Sequence, residues 1–210
     1  VQGPLVRVDG RTLVNWCSND YLGLSQHPAL IHAAAQAATE WGIGARASRL
    51  LSGQTTWHAR LEASLAAWFG TEAALVFSSG YLTNLGVLGA LCSVRDAIFI
   101  DRCAHASLFD AARLTRATLR VFRHNDPAHL AHLVAHTGRV NRRVIVTEGL
   151  FSMDGDEAPL AAVVEVAKGY EALVYVDDAH GAFVRGQSGR GTPEVVGLLP
   201  QESFLYIGTL

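Results

Sequence analysis

A chain of 210 residues, half of them hydrophobic and 17% charged, suits a globular protein with a large core, either one big domain or a domain and a piece of another. Its net charge of −2 leaves no electrostatic footprint for nucleic acid or for an anionic membrane surface. Cys17, Cys92 and Cys103 show no C-x-x-C spacing, which argues against a disulfide framework or a zinc knuckle and fits a reducing cytoplasm.

The chain opens V-Q-G-P-L-V-R-V, with neither an initiator Met nor a signal-peptide pattern. L-V-R-V and R-T-L-V-N-W flank Asp9-Gly10, a favoured two-residue turn, so a hairpin is expected. The Ala-rich stretch Pro28 to Trp41 predicts a helix, and G-I-G-A-R-A-S-R-L-L-S-G at 42–53 a glycine-rich loop. Thr55 or Thr56 then caps a helix expected to bury Leu61, Leu65 and Trp68 or Phe69. Ala73 to Val94 is uncharged and long enough to cross a bilayer, but Ser78, Ser79, Gly80, Thr83 and Asn84 in its middle favour a strand, a tight turn and a helix.

Short apolar runs follow at 74–77, 97–101, 119–123, 143–148, 172–177 and 204–208, with helical patterns between most of them. In the helix expected over 159–168, Pro159 suits the first turn, Gly169 can end it, and Lys168, the only lysine, sits in the last turn, where a cation favours the dipole. This alternation predicts an α/β fold: a mostly parallel sheet with helices on both faces, preceded by a short hairpin and helix region. Residues 1–55 form that leading segment and 56–210 the large domain.

Ligands of such sheets bind outside the carboxyl ends of the strands. After 74–77 comes S-S-G-Y-L-T-N, where Gly80 allows close approach to a helix N-terminus that can take an anion. Plain N-capping by Ser78 or Ser79 accounts for the same residues. After 97–101 comes R-C-A-H-A-S-L, where His105 can stack on a flat ligand or simply be satisfied by backbone. Glu148 and Ser152 flank the exit of 143–148; Ser152 can donate to a ligand oxygen or support the turn at Asp154-Gly155, and no G-x-S-x-G elbow marks it as a nucleophile. After 172–176 comes D-D-A-H-G. Strand alternation turns Asp177 and Asp178 to opposite sides, while Asp177 and His180 can converge across the tight turn. His129, His132 and His136 share a helix face, but with no carboxylate or cysteine beside them a solvated face is favoured over a metal site.

Seven stretches together resemble one family: N-W-C-S-N-D-Y-L-G-L (15–24), S-R-L-L-S-G (48–53), F-S-S-G-Y (77–81), H-A-S-L (105–108), F-R-H-N-D (122–126), T-E-G-L-F-S-M-D-G-D (147–156) and V-D-D-A-H-G (176–181). They are similar to the α-oxoamine synthases, pyridoxal 5'-phosphate enzymes of the aspartate-aminotransferase fold type (fold type I), and S-N-D-Y-L-G-L, S-R-L-L-S-G and F-R-H-N-D lean toward the branch serving biotin synthesis.

The resemblance implies a cytoplasmic homodimer, with the 42–53 loop near the subunit interface, that condenses L-alanine with a pimeloyl thioester. It also implies site roles. Asp177 pairs with the pyridine nitrogen, His180 and Ser152 bond the phenolic oxygen, and His105 stacks over the ring. Gly80 and Tyr81 meet the phosphate or adjoining cofactor atoms, and Thr209 binds phosphate. His105, Asp177 and His180 are then the catalytic set, with no metal. Asp178 becomes a support for the turn. The family's Schiff-base lysine follows T-x-x-K and is expected two residues beyond Leu210, so the 210 residues are expected to be part of a longer enzyme. That lysine, the C-terminal domain and an N-terminal arginine used near the acyl substrate all lie outside them, and the large domain is expected to be incomplete at its C-terminus. Sister chemistries with glycine or serine and other acyl-CoAs, and a lysine-less binding protein of the same fold, are the alternatives. A metal hydrolase built on Asp177, Asp178 and His180 stands well behind them.

Overall fold

The computed structural model describes residues 4–198 and 204–210. The expectations for residues 1–3 and 199–203 lie outside the described residues. The chain divides into two compact units, Val1–Arg60 and Leu61–Leu210.

In the first unit, β1 (Leu5–Val8) and β2 (Arg11–Val14) form an antiparallel hairpin with Val8 opposite Arg11. Asp9 at φ 49° and Gly10 at φ 77° both lie in the left-handed region that a twisted two-residue hairpin turn requires. Helix α1 (Pro28–Trp41) begins with proline in its first turn and a His27 ring that accepts from the Ala29 N–H. The glycine-rich stretch is not wholly irregular, since Arg49–Gly53 closes a single π turn capped by the Ser48 side chain. Gly53 is buried there, and a Cβ on it would lie 1.9 Å from the Ala47 carbonyl oxygen, so only glycine fits. Helix α2 (Thr56–Phe69) starts in the first unit, with the Thr55 hydroxyl 2.8 Å from Nδ1 of His58, and its residues from Leu61 on belong to the second. Its expected burial is only partial. Leu65 and Phe69 are half-buried while Leu61 and Trp68 stay exposed, because among the described residues only Phe183 and Tyr206 supply rings against its C-terminal end.

The second unit is built on a parallel five-stranded sheet ordered β4-β3-β5-β6-β7, from β3 (Ala97–Asp101), β4 (Thr118–Phe122), β5 (Arg143–Glu148), β6 (Leu173–Asp177) and β7 (Phe204–Ile207). Alternate side chains feed two cores. Phe99, Ile145, Val174 and Val176 face α5 (Pro127–Ala135) and α6 (Leu160–Gly169), whereas Ile98, Ile100, Val144, Val146 and Tyr175 face α3 (Gly80–Leu91) and α4 (Ala106–Thr115). A short α7 (Thr192–Val195) precedes β7. The apolar run 74–77 differs from expectation, since it joins no ladder among the described residues. The Val76 N–H goes instead to a Glu62 carboxylate oxygen at 2.8 Å, and the Phe77 ring packs on α3 where Gly86 leaves room. Among the described residues, no helix is long and apolar enough to cross a membrane. The chain runs from β3 outward to β4 and then back past β3 to β5, so the strand order reverses beside β3, and that is where such sheets open a crevice at their carboxyl ends.

Candidate active site at the carboxyl edge of the sheet

Three strands deliver acids to this edge: Asp101 ends β3, Glu148 ends β5 and Asp177 ends β6, with Glu148 and Asp177 paired in register. All three are buried. Burial, followed by the charge of Asp177, pushes the Glu148 pKa up to about 7, although the peptide N–H groups of His105 and Ser152 pull the other way. Its Oε1 has no hydrogen-bond partner among the described residues.

Asp177 is held by α3. Its Oδ2 accepts from Nδ2 of Asn84 at 2.7 Å, and its Oδ1 from the Ala179 N–H at 3.2 Å. The same Asn84 amide donates to the Ser107 hydroxyl at 2.8 Å and accepts from the Tyr175 hydroxyl at 2.7 Å. Ser107 in turn lies 2.7 Å from Nδ1 of His105, the exposed N-cap of α4. A buried run of hydrogen bonds therefore joins two residues singled out from the sequence, Asp177 and His105, through two that were not, Asn84 and Ser107. The available signal was a lone amide on the otherwise apolar helix L-T-N-L-G-V-L-G-A-L, which must find a partner if it is buried.

Asp178 points elsewhere, as strand alternation requires. It is fully buried and accepts from the Thr192 N–H at 2.8 Å, the Thr192 hydroxyl at 2.9 Å and the Tyr206 hydroxyl at 2.9 Å. Burial raises its pKa to about 6 against the pull of those donors. Gly149, Gly181 and Gly191 crowd it so closely that a Cβ on any of them would come within 2.2 Å of its oxygens. Asp178 thus anchors the turn and α7.

Helix α3 opens with Ser79 as its N-cap, the side chain accepting from the Leu82 N–H at 3.2 Å. Capping by Ser79 leaves the N–H groups of Gly80 and Tyr81 with no acceptor among the described residues. Thr209 sits directly beside them, since a Cβ on Gly80 would lie 2.8 Å from its Cγ2. The Thr209 hydroxyl donates to the Ala179 carbonyl at 3.2 Å. The Tyr81 hydroxyl is turned to Asp110 at 2.7 Å, which leaves its backbone rather than its phenol facing the helix end. His180 is half-buried in the turn after β6, and Ser152 is exposed in the loop after β5.

That loop is clamped from below by His124. Its Nδ1 meets Asp101 at 2.9 Å and its Nε2 meets Asp156 at 2.8 Å, while Asn125 bonds both acids through its N–H and its amide. Partial burial opposes a charged ring, yet the hydrogen bonds and charges of the two carboxylates outweigh it and raise the His124 pKa. The F-R-H-N-D stretch thereby acquires a physical role. Of the helical histidines, His129 accepts from the Arg123 N–H at 2.9 Å, and His132 and His136 stack with centroids 4.1 Å apart.

Residues 11–210 match the family described as aminotransferase class I and II. The chain belongs to that family. Among curated relatives of this aminotransferase-family chain, the 8-amino-7-oxononanoate synthase of Trichlorobacter lovleyi is 50% identical over 195 residues, covering 93% of this chain and 50% of the relative. The protein of the same name from Anaeromyxobacter sp. is 49% identical over 209 residues, covering 100% and 52%. The chain spans about half the length of the curated relatives it matches. Among solved structures, a serine palmitoyltransferase from S. paucimobilis with PLP and myriocin bound superposes with a TM-score of 0.94 at 33% identity, covering 100% of this chain and 54% of that one. The 8-amino-7-oxononanoate synthase of Francisella tularensis gives 0.72 at 29% identity, covering 87% and 50%. The sheet with helices on both faces is therefore the fold-type-I architecture of pyridoxal-phosphate enzymes.

Proposed function

We propose that this chain is the cofactor-binding part of a pyridoxal-phosphate C-acyltransferase, an 8-amino-7-oxononanoate synthase, with residues 56–210 as the large domain and 1–55 as the segment that precedes it. The observation that carries the reading is the Asn84–Asp177 hydrogen bond, which joins a buried carboxylate to the helix whose free N-terminus begins at Gly80. The donor set fits the cofactor at both ends. The N–H groups of Gly80 and Tyr81 and the helix dipole suit a phosphate, Thr209 would join them once its hydroxyl turns from the Ala179 carbonyl, and a Cβ at Gly80 would press on the Thr209 methyl beside that cradle. Asp177 suits a protonated ring nitrogen, and the exposed imidazole of His105 suits the face of a flat ring.

Pyridoxal phosphate supplies an electron sink for a substrate carbanion. The chain's own residues set the conditions for it. Asp177 holds a proton on the ring nitrogen, and His105 covers one ring face and excludes water there. His180 and Ser152 donate to the phenolic oxygen, while Gly80, Tyr81 and Thr209 fix the phosphate. No metal takes part. The substrates are L-alanine and a pimeloyl thioester, joined with loss of carbon dioxide to give 8-amino-7-oxononanoate for biotin synthesis, in a cytoplasmic homodimer. Roughly 50% identity to relatives of that name, against 33% to the serine palmitoyltransferase, favours this branch over its sisters.

The test uses full-length protein. A visible absorbance band should form with pyridoxal phosphate, shift on adding L-alanine more than on adding glycine or serine, and disappear in Asp177→Ala. Turnover should favour a pimeloyl over an acetyl or long-chain thioester. The coding sequence after Leu210 should read Ser-Lys, and another residue at the second position would point to a non-catalytic binding protein. Absence of any cofactor band in full-length protein would sink the reading.

A further inference from the structure

The amide of Asn84 uses both of its N–H groups and accepts at its oxygen. Its Nδ2 lies 2.7 Å from Asp177 Oδ2 and 2.8 Å from the Ser107 hydroxyl, and its Oδ1 lies 2.7 Å from the Tyr175 hydroxyl. A carboxylate only accepts, so the Asn84 atom facing Asp177 must be the NH2 group, and the flipped amide would set carbonyl oxygen against carboxylate. Once the amide is oriented, the remaining directions follow. The Tyr175 hydroxyl, fully buried, donates to Oδ1. Ser107, also fully buried, accepts from Nδ2, which leaves its one proton to go to its remaining partner, Nδ1 of His105 at 2.7 Å. The Ser107 backbone N–H approaches the same Nδ1 at 3.3 Å. Two donors on Nδ1 place the proton of the neutral ring on Nε2.

We propose that Asn84 is a positioning residue that locks Asp177 and His105 into one hydrogen-bonded unit, in which the carboxylate sets the direction of every hydrogen bond and leaves the His105 ring in the Nε2–H form. The proposal rests on the reading of Asp177 and His105 as groups that hold the cofactor. Asp177 ends β6, His105 caps α4 and Asn84 rides on α3, whose first turn offers the free N–H groups of Gly80 and Tyr81. One carboxamide therefore keeps the register between the ring-nitrogen partner, the stacking imidazole and the phosphate end. A polar side chain that merely filled the core would have no such reach.

Two readouts test it in purified full-length protein: the affinity of the cofactor-free form for pyridoxal phosphate, and nitrogen-15 NMR of the His105 ring. The unsubstituted protein should show a His105 ring with its proton on Nε2. Asn84→Ala should weaken cofactor binding about tenfold or more, the loss expected for a hydrogen bond to a charged group, and should shift the His105 ring signals. Ser107→Ala keeps the Asn84–Asp177 contact, so it should shift the His105 signals while costing only about threefold in affinity. If Asn84→Ala does not fold, the near-isosteric Asn84→Asp sets a second carboxylate against Asp177, and an affinity loss of the same order or larger is expected. The proposal is overturned if a folded Asn84 variant binds within about twofold of the parent, or if His105 carries its proton on Nδ1. Asp177→Asn separates the two layers. An unchanged band and affinity in that variant overturns the reading of Asp177 and the proposal with it. A lost band there beside an unaffected Asn84→Ala overturns the proposal alone.

Discussion

Residues 4–60 and the sheet unit are both rich in apolar side chains, but only the second buries them. In the first stretch Gly53 is the single buried residue among those described, while Trp16, Ile43, Leu50 and Leu51 are each more than four-fifths exposed. In the second, Ile98, Phe99, Ile100, Leu108, Val144, Ile145 and Tyr175 have no exposed surface at all. Turn chemistry and helix caps suffice to shape a hairpin and α1. Closing a core needs a sheet with helices on both faces.

The largest expected effect that sharpens this contrast is in the sheet. Phe99→Ala should cost about 3–5 kcal/mol in urea unfolding, the usual loss for emptying a core aromatic site, whereas Leu50→Ala should stay within about 0.5 kcal/mol. Comparable losses at both positions would break the contrast. Next comes a pair of glycines with one conformation and two surroundings: Gly42 at φ 79°, ψ −171° and Gly191 at φ 88°, ψ −170°. Alanine at Gly42 meets nothing within 4 Å and should cost only backbone strain of about 1–3 kcal/mol. Alanine at Gly191 would drive a methyl to 2.1 Å from Asp178 Oδ2 and 2.2 Å from the Tyr206 hydroxyl, adding about 1–3 kcal/mol of overpacking. Thermal unfolding of the two variants measures the difference.

The buried acids make a pH prediction confined to the sheet unit. Glu148 titrates near 4.5 when unfolded and near 7 when folded, so the folded state holds the extra proton between those values. Its contribution is fully favourable below about pH 4.5, declines as pH rises and levels off above about 7. Glu148→Gln should flatten that part of the stability–pH curve, and an unchanged slope would count against the burial argument. His124, with its pKa raised above 6.5, runs in the same direction, since its clamp on Asp101 and Asp156 weakens as pH rises through the raised value.

In the first unit, Leu50→Asp should shift full-length protein toward monomer in sedimentation while leaving its sheet core intact. Unchanged association would move the proposed interface elsewhere. The smallest effect belongs to Lys168, whose exposed pair with Glu165 at 2.9 Å is worth about 0.2–0.5 kcal/mol, so Lys168→Ala should leave both unfolding and the cofactor band nearly unaltered.

Much of the architecture was legible from one strand of text. Asp9-Gly10, Pro28, Ser79 and Gly169 mark real boundaries, because caps and tight turns depend on neighbours a few residues away. The run at 74–77 misled because an apolar segment says nothing about whether a strand lies beside it. Asn84 was passed over for the complementary reason: its meaning comes from Asp177, 93 residues on.

The doubled acid at 177–178 shows the division of labour. By itself the sequence determined that the two carboxylates end a buried parallel strand at the ligand-facing edge and point to opposite sides, since strand periodicity is local. Only the tertiary structure decided what each one meets. Asp178 is sealed by Thr192, Tyr206 and three glycines, and Asp177 is tied through Asn84 to α3 and onward to His105. A buried charge must find its donors wherever the fold brings them, and those donors lie on other elements of the chain.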